Sequence, residues 1–191
     1  MRAAWIAVAL LAAGCVFRNA PEPRFFRPKS AALDVTADEL PGRAGVAVRL
    51  RPVLGTPLLR ERIVWRASSV EYGLYEQRRW SELPASYVER ALEGALRTTP
   101  GVRLTGEPGA AALLVEVVAF DEVLAPARVA AVSLAVELVD AEQRRLIDRS
   151  FSAEAPIANE TPAATAVAMG KALDEAVAAV AGAVGERLQG R

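Results

Sequence analysis

One thiol, no imidazole and a few paired charges make up the reactive side chains of this sequence. Cys15 is the single cysteine of the 191 residues, and histidine is absent. Without imidazole the chain lacks the commonest general base, the commonest metal ligand and the side chain that titrates near neutral pH. Ser-His-Asp and Cys-His nucleophile systems and His-based zinc sites are excluded. Carboxylates lie close together at Asp38-Glu39, at Asp121-Glu122 and at Asp140 with Glu142, but none matches a calcium loop, and all read as solvated turns. Arg78-Arg79 and Arg144-Arg145 are basic doublets suited to phospholipid head groups or acidic partners, and surface charge is their simpler reading. The glycines form no G-x-G-x-x-G or Walker A loop. No catalytic, cofactor-binding or metal-ligating set is expected.

The position of Cys15 gives its thiol a different chemistry. Arg2 supplies a basic start, Ala3 to Ala13 an apolar run, and Ala12-Ala13-Gly14 small residues before the cysteine. This is the layout of a secretory signal, and the run is short of the ~20 apolar residues that span a bilayer as a helix. The segment resembles the bacterial lipobox, with Ala12 where Leu is commoner and Leu11 one residue upstream. That resemblance implies a diacylglyceryl thioether on Cys15, cleavage before it and acylation of the new amine. One fatty chain binds a membrane reversibly, and two or three bind in effect permanently, at ~0.8 kcal/mol per buried CH₂.

Composition bounds the remainder. The apolar class at 52% and charged residues at 24% belong to a globular chain long enough for one domain. Twenty-three basic residues cancel 23 acidic ones, so no global field favours nucleic acid or an anionic membrane. The expected organisation is a signal peptide over 1–14, a lipidated N-terminus and tether over 15–28, and a single α+β domain over 29–191. Pro21, Pro23 and Pro28, with no periodicity around them, give the tether its character. Phe25 and Phe26 are placed either in the membrane interface or on the domain edge.

Alternation of Val46, Val48 and Leu50 with Arg49 and Arg51 predicts a strand over 45–53, ended by Pro52 and Gly55-Thr56-Pro57. Short strands follow over 62–67 and 70–75, around Ser68-Ser69. Val88, Ala91, Leu92, Ala95 and Leu96 mark one face of a helix from Pro84 to Arg97, stopped by Thr98-Thr99-Pro100-Gly101. Strands are predicted over 112–120, 129–139 and 144–155, the last two a hairpin turning at Asp140-Ala141-Glu142-Gln143. Thr161 and Pro162 open a final helix to about Leu188, with Met169, Leu173, Val177, Val180, Val184 and Leu188 inward and Lys171, Asp174, Glu175 and Glu186 off that stripe. The fold class is α+β: an antiparallel-rich sheet of five or six strands packed in two layers against two helices.

From Thr56 to Thr105 the chain carries Ile63-Val64-Trp65-Arg66, the polar turn Ser68-Ser69, Val70-Glu71-Tyr72, and Trp80 shortly before the Pro84 helix. This segment resembles the auxiliary lipoproteins of ABC-type transport systems, including the PqiC-type intermembrane transport lipoproteins, with Trp65 where Tyr is usual. Trp65, Tyr72, Tyr75 and Trp80 are expected to form an aromatic cluster holding the hairpin to the first helix.

The resemblance implies a lipid-anchored periplasmic accessory subunit, acting by docking or bridging rather than turnover, with no cofactor. Its implied partners are a mammalian-cell-entry (MCE) domain protein and the ABC permease and ATPase subunits, with a homo-oligomer as a further possibility and no nucleic acid. Val16, where an Asp would signal inner-membrane retention, favours the outer membrane. The rival function is an outer-membrane assembly or envelope-scaffold lipoprotein.

Overall fold

The structure, a computed structural model, describes residues 22–34 and 44–190. Cys15 and Asp38-Glu39 lie outside these residues. Eleven elements follow in the order β1 (Arg24–Phe26), β2 (Gly45–Leu50), β3 (Leu54–Gly55), β4 (Arg62–Arg66), β5 (Tyr72–Trp80), α1 (Pro84–Thr98), β6 (Gly101–Leu104), β7 (Ala111–Val123), β8 (Val129–Val139), β9 (Arg145–Pro156) and α2 (Pro162–Gln189). The chain is α+β, an open sheet with two helices.

Strand β7 organises the sheet. Along one edge it pairs antiparallel with β8 over its whole length, and β8 pairs antiparallel with β9. Its other edge is taken in succession by β2 at Ala111–Leu113, β3 at Glu116–Val117 and β4 at Asp121–Val123, all parallel. Beyond β2 lies β6, and beyond β4 lie β5 and then β1. The sheet has nine strands where five or six were expected, because β1, β3 and β6 are too short to show a period of two. Parallel pairing with distant strands, which local sequence does not encode, holds all three.

Both helices bury one face against the sheet in a single core. In α1, Tyr87, Val88, Ala91, Leu92 and Leu96 are fully buried, as the helical spacing requires. In α2 the inward stripe is Met169, Leu173, Val177, Val180, Val184 and Leu188, and the Thr161 hydroxyl caps the helix by accepting from the Ala164 N–H. The expected aromatic cluster has different members: Trp80 meets Tyr87 and Phe120 edge-on, with centroids 6.4 and 5.4 Å apart. Trp65 covers Gly73 instead, where a Cβ would overlap its ring. Tyr72 is half-exposed and Tyr75 stacks under the Arg78 guanidinium.

The segment expected to tether the domain joins it from Arg24 onward. Phe26 pairs with Trp80 in β1–β5 and packs on the core, whereas Phe25 is exposed. Residues 28–33 then strap across α2. Lys29 donates its N–H to the Ala166 carbonyl at 3.1 Å, and Asp174, off the inward stripe, accepts from Ser30 Oγ at 2.5 Å, Ala31 N–H at 2.9 Å and Ala32 N–H at 3.1 Å. The backbone can lie this close because residue 170 is glycine; a Cβ there would overlap the Lys29 carbonyl.

Candidate docking surface

One long sheet edge and the sheet face beside it have no neighbouring element among the described residues. Strand β9 pairs only with β8. Ile157 donates to Arg128, so with the pleat the odd residues of β9 turn their backbone groups toward β8. Asp148, Ser150, Ser152 and Glu154 therefore direct N–H and C=O outward, and their side chains are exposed. Phe151, Ala153 and Ala155 point to the helix layer and are buried. Such a row is a template for a further strand, with charge and hydroxyl side chains instead of a long apolar flank.

The helix-free face adjoins that edge. A groove of about 600 Å³ crosses β3, β7, β8 and β9, lined by Arg51, Leu54, Leu114, Glu116, Glu137 and Arg149. A second, of about 440 Å³, continues past Arg49 and Arg145 and shares Arg51, Leu114 and Glu137 with the first. Leu54, Leu114 and Val118 are exposed here at 66%, 40% and 46%. Arg145 bridges Glu137 at 2.8 Å and Asp148 at 3.0 Å, tying the second groove to the edge. Arg49 Nε is buried without an acceptor, so a partner carrying a carboxylate or phosphate would satisfy it.

The carboxylates read from the sequence as solvated turns are in part the reverse. Asp121 and Glu122 are buried in β7: a bulge between Val117 and Ala119 shifts the strand's phase, and β4 and β8 flank its end. Glu122 accepts from Arg128 Nε at 2.6 Å and Thr165 Oγ1 at 3.1 Å, with Arg78 Nη1 at 3.8 Å, joining β5, the β7–β8 turn and α2. Asp121 accepts from the Phe120 N–H at 2.8 Å and Arg66 Nε at 3.2 Å. Burial raises its carboxyl above the usual range, and those two donors pull it back. Burial, then the Glu122 charge, likewise raises the Tyr75 phenol. These groups tie elements together and open onto no groove described above. Asp140 is also buried, accepting from the Arg144 backbone and guanidinium, whereas Glu142 stays on the surface of the expected turn.

Of the basic doublets, Arg78 serves Glu122 and Arg79 reaches Glu61 at 3.9 Å, while Arg144 pairs with Asp140 in the turn and Arg145 lies at the rim of the helix-free face. Among the described residues no group of three metal-ligating side chains occurs, and no helix is long and apolar enough to cross a membrane. Sequence reading missed the groove and the buried Arg49 Nε beside it. The alternation of Arg49 and Arg51 with Val48 and Leu50 was the signal available.

The fold recurs in solved structures. A Xanthomonas campestris protein of the DUF330 family superposes with a TM-score of 0.73 at 17% identity, covering 87% of this chain and 98% of that one. An uncharacterized protein gives 0.65 at 16% identity, over 84% and 97%. A hypothetical protein from Chlamydia trachomatis gives 0.55 at 9% identity, over 78% and 100%. No curated protein matches the chain. The family described as ABC-type transport auxiliary lipoprotein component matches residues 32–181, and the chain belongs to that family.

Proposed function

We propose that this protein is a lipid-anchored accessory subunit of an MCE-associated ABC-type system, engaged in intermembrane lipid transport. It is held by acyl chains on Cys15 at the outer membrane, faces the periplasm, and acts by docking and not by turnover. Its folded unit begins within the 15–28 segment and runs to the C-terminus. The observation that carries this reading is the β9 edge, unpaired among the described residues, beside a groove of mixed charge: a strand from an MCE-domain subunit, or from a second copy, completes the sheet there. Family membership supports the transport context and the lipoprotein character.

The test is affinity capture from detergent-solubilised envelopes with the parent and with Ser152→Pro. Proline removes an N–H that points outward and is tolerated on an edge strand, so the fold persists while strand addition fails. Recovery of the MCE and permease-ATPase subunits by the parent, lost in the variant, supports the reading. Equal recovery by both overturns the edge as the site, and recovery of β-barrel or pilus components instead supports the envelope-scaffold alternative.

A further inference from the structure

We infer that the tip of the β4–β5 hairpin, with Val70 and Tyr72, rests in the interface of the membrane that holds the protein, so that the domain stands on its lipid in one orientation. The inference rests on the acylation of Cys15 proposed above.

Chain direction and length argue for it. Strand β1 runs parallel to β5 with Arg24 opposite Arg78, so the residues before it enter from the side where β5 begins at Tyr72. Seven residue steps separate Cys15 from Glu22, the first described residue, a contour of at most about 25 Å. Carried on by two residues, that register brings Glu22 to the level of Glu76, four residues along β5 from Tyr72. From there the hairpin tip, at the level of Arg66 and Val123, is about 15 Å away along the strands. The β8–β9 turn, beyond the pairing of Ala112 with Val139, is about 30 Å in the opposite direction. The tether spans the first distance with slack and falls short of the second.

The end it can reach is dressed for lipid. Val70 is 88% exposed, the most of any large apolar side chain described, and Tyr72 is 49% exposed, with the amphipathic ring favoured at membrane interfaces. The exposed Ala125-Pro126-Ala127 of the β7–β8 loop lies at the same end. Its charges are mostly matched, Arg66 with Asp121 and Arg128 with Glu122 and Glu160, leaving Glu71 exposed. The contact is thus interfacial and not an attraction to anionic head groups.

Because Cys15 is the only cysteine and is blocked by its lipid, Val70→Cys and Ala141→Cys each carry one free thiol for an environment-sensitive fluorophore. Acylated full-length protein is placed in phosphatidylcholine vesicles with and without doxyl-labelled lipid. The label at 70 is expected to shift to the blue and lose most of its emission to doxyl lipid, and the label at 141 to do neither. Two unquenched labels on protein that floats with the vesicles would overturn the contact while leaving the anchor intact. Protein that does not float would refute the acyl anchor and the contact with it.

Discussion

Gly170→Ala separates two opposing effects that the structure places on one carbon. In a helix interior, alanine is favoured over glycine by about 1 kcal/mol, so an unobstructed site would give a more stable protein. The added Cβ, however, overlaps the Lys29 carbonyl, and backbone on both sides leaves neither partner free to yield. The strap must lift, losing the Lys29 to Ala166 hydrogen bond and the three that Asp174 accepts. With about 1 kcal/mol for the neutral bond and about 1.5 for each bond to the half-buried carboxylate, the gross loss is about 5.5 kcal/mol. Freeing residues 29–32 returns about 4 kcal/mol of chain entropy, at about 1 per residue. The remaining loss of about 1.5 kcal/mol is largely offset by the helix gain of about 1, so global stability should hardly move. What moves is local order: the amides of Ala31 and Ala32 should lose their protection in hydrogen exchange. Retained protection together with a stability gain of about 1 kcal/mol would show that residue 170 does not abut the strap.

Leu92→Ala, at a fully buried position on α1, should cost about 2–5 kcal/mol in denaturant unfolding, and an unchanged midpoint would put the wrong helix face inward. Asp121 keeps its proton more tightly in the folded state, so stability falls as pH rises from the unfolded carboxyl value through the raised folded one. Asp121→Asn should flatten that fall, so that the parent loses stability relative to the variant as pH rises across the acidic window; a pH-independent difference would place the carboxyl in water. Cys15→Ser should abolish lipoprotein processing and detergent partitioning while leaving the domain folded, and unchanged mass and partitioning in that variant would contradict acylation.

The long elements were legible because their own residues state their period. Alternation across Ala130, Val132, Leu134, Val136 and Leu138 marks β8, and Thr161-Pro162 opens α2 where expected. Strands β1, β3 and β6 were invisible, since two to four residues cannot display alternation and their pairing comes from strands tens of residues away. The bulge at Val118 hid the burial of Asp121-Glu122: an acidic pair reads as solvent-facing until Arg66, Arg78, Arg128 and Thr165 converge on it through tertiary contacts. Asp174 lies off the inward stripe as expected, but its role stayed hidden, because the strap it holds crosses from residues more than 140 positions earlier. Which sheet edge is open among the described residues, and the groove beside it, required the strand order.

Site-specific photocross-linking in intact cells reads docking through the β9 edge without disturbing the assembly. A photoreactive residue replaces Ser152, whose backbone faces outward on β9, and in a second strain Glu175, exposed on α2. The account predicts a cross-link from position 152 to an MCE-domain subunit, or to a second copy within the same assembly, and none from 175. Cross-links from 175 to the transport subunits with none from 152 would contradict it.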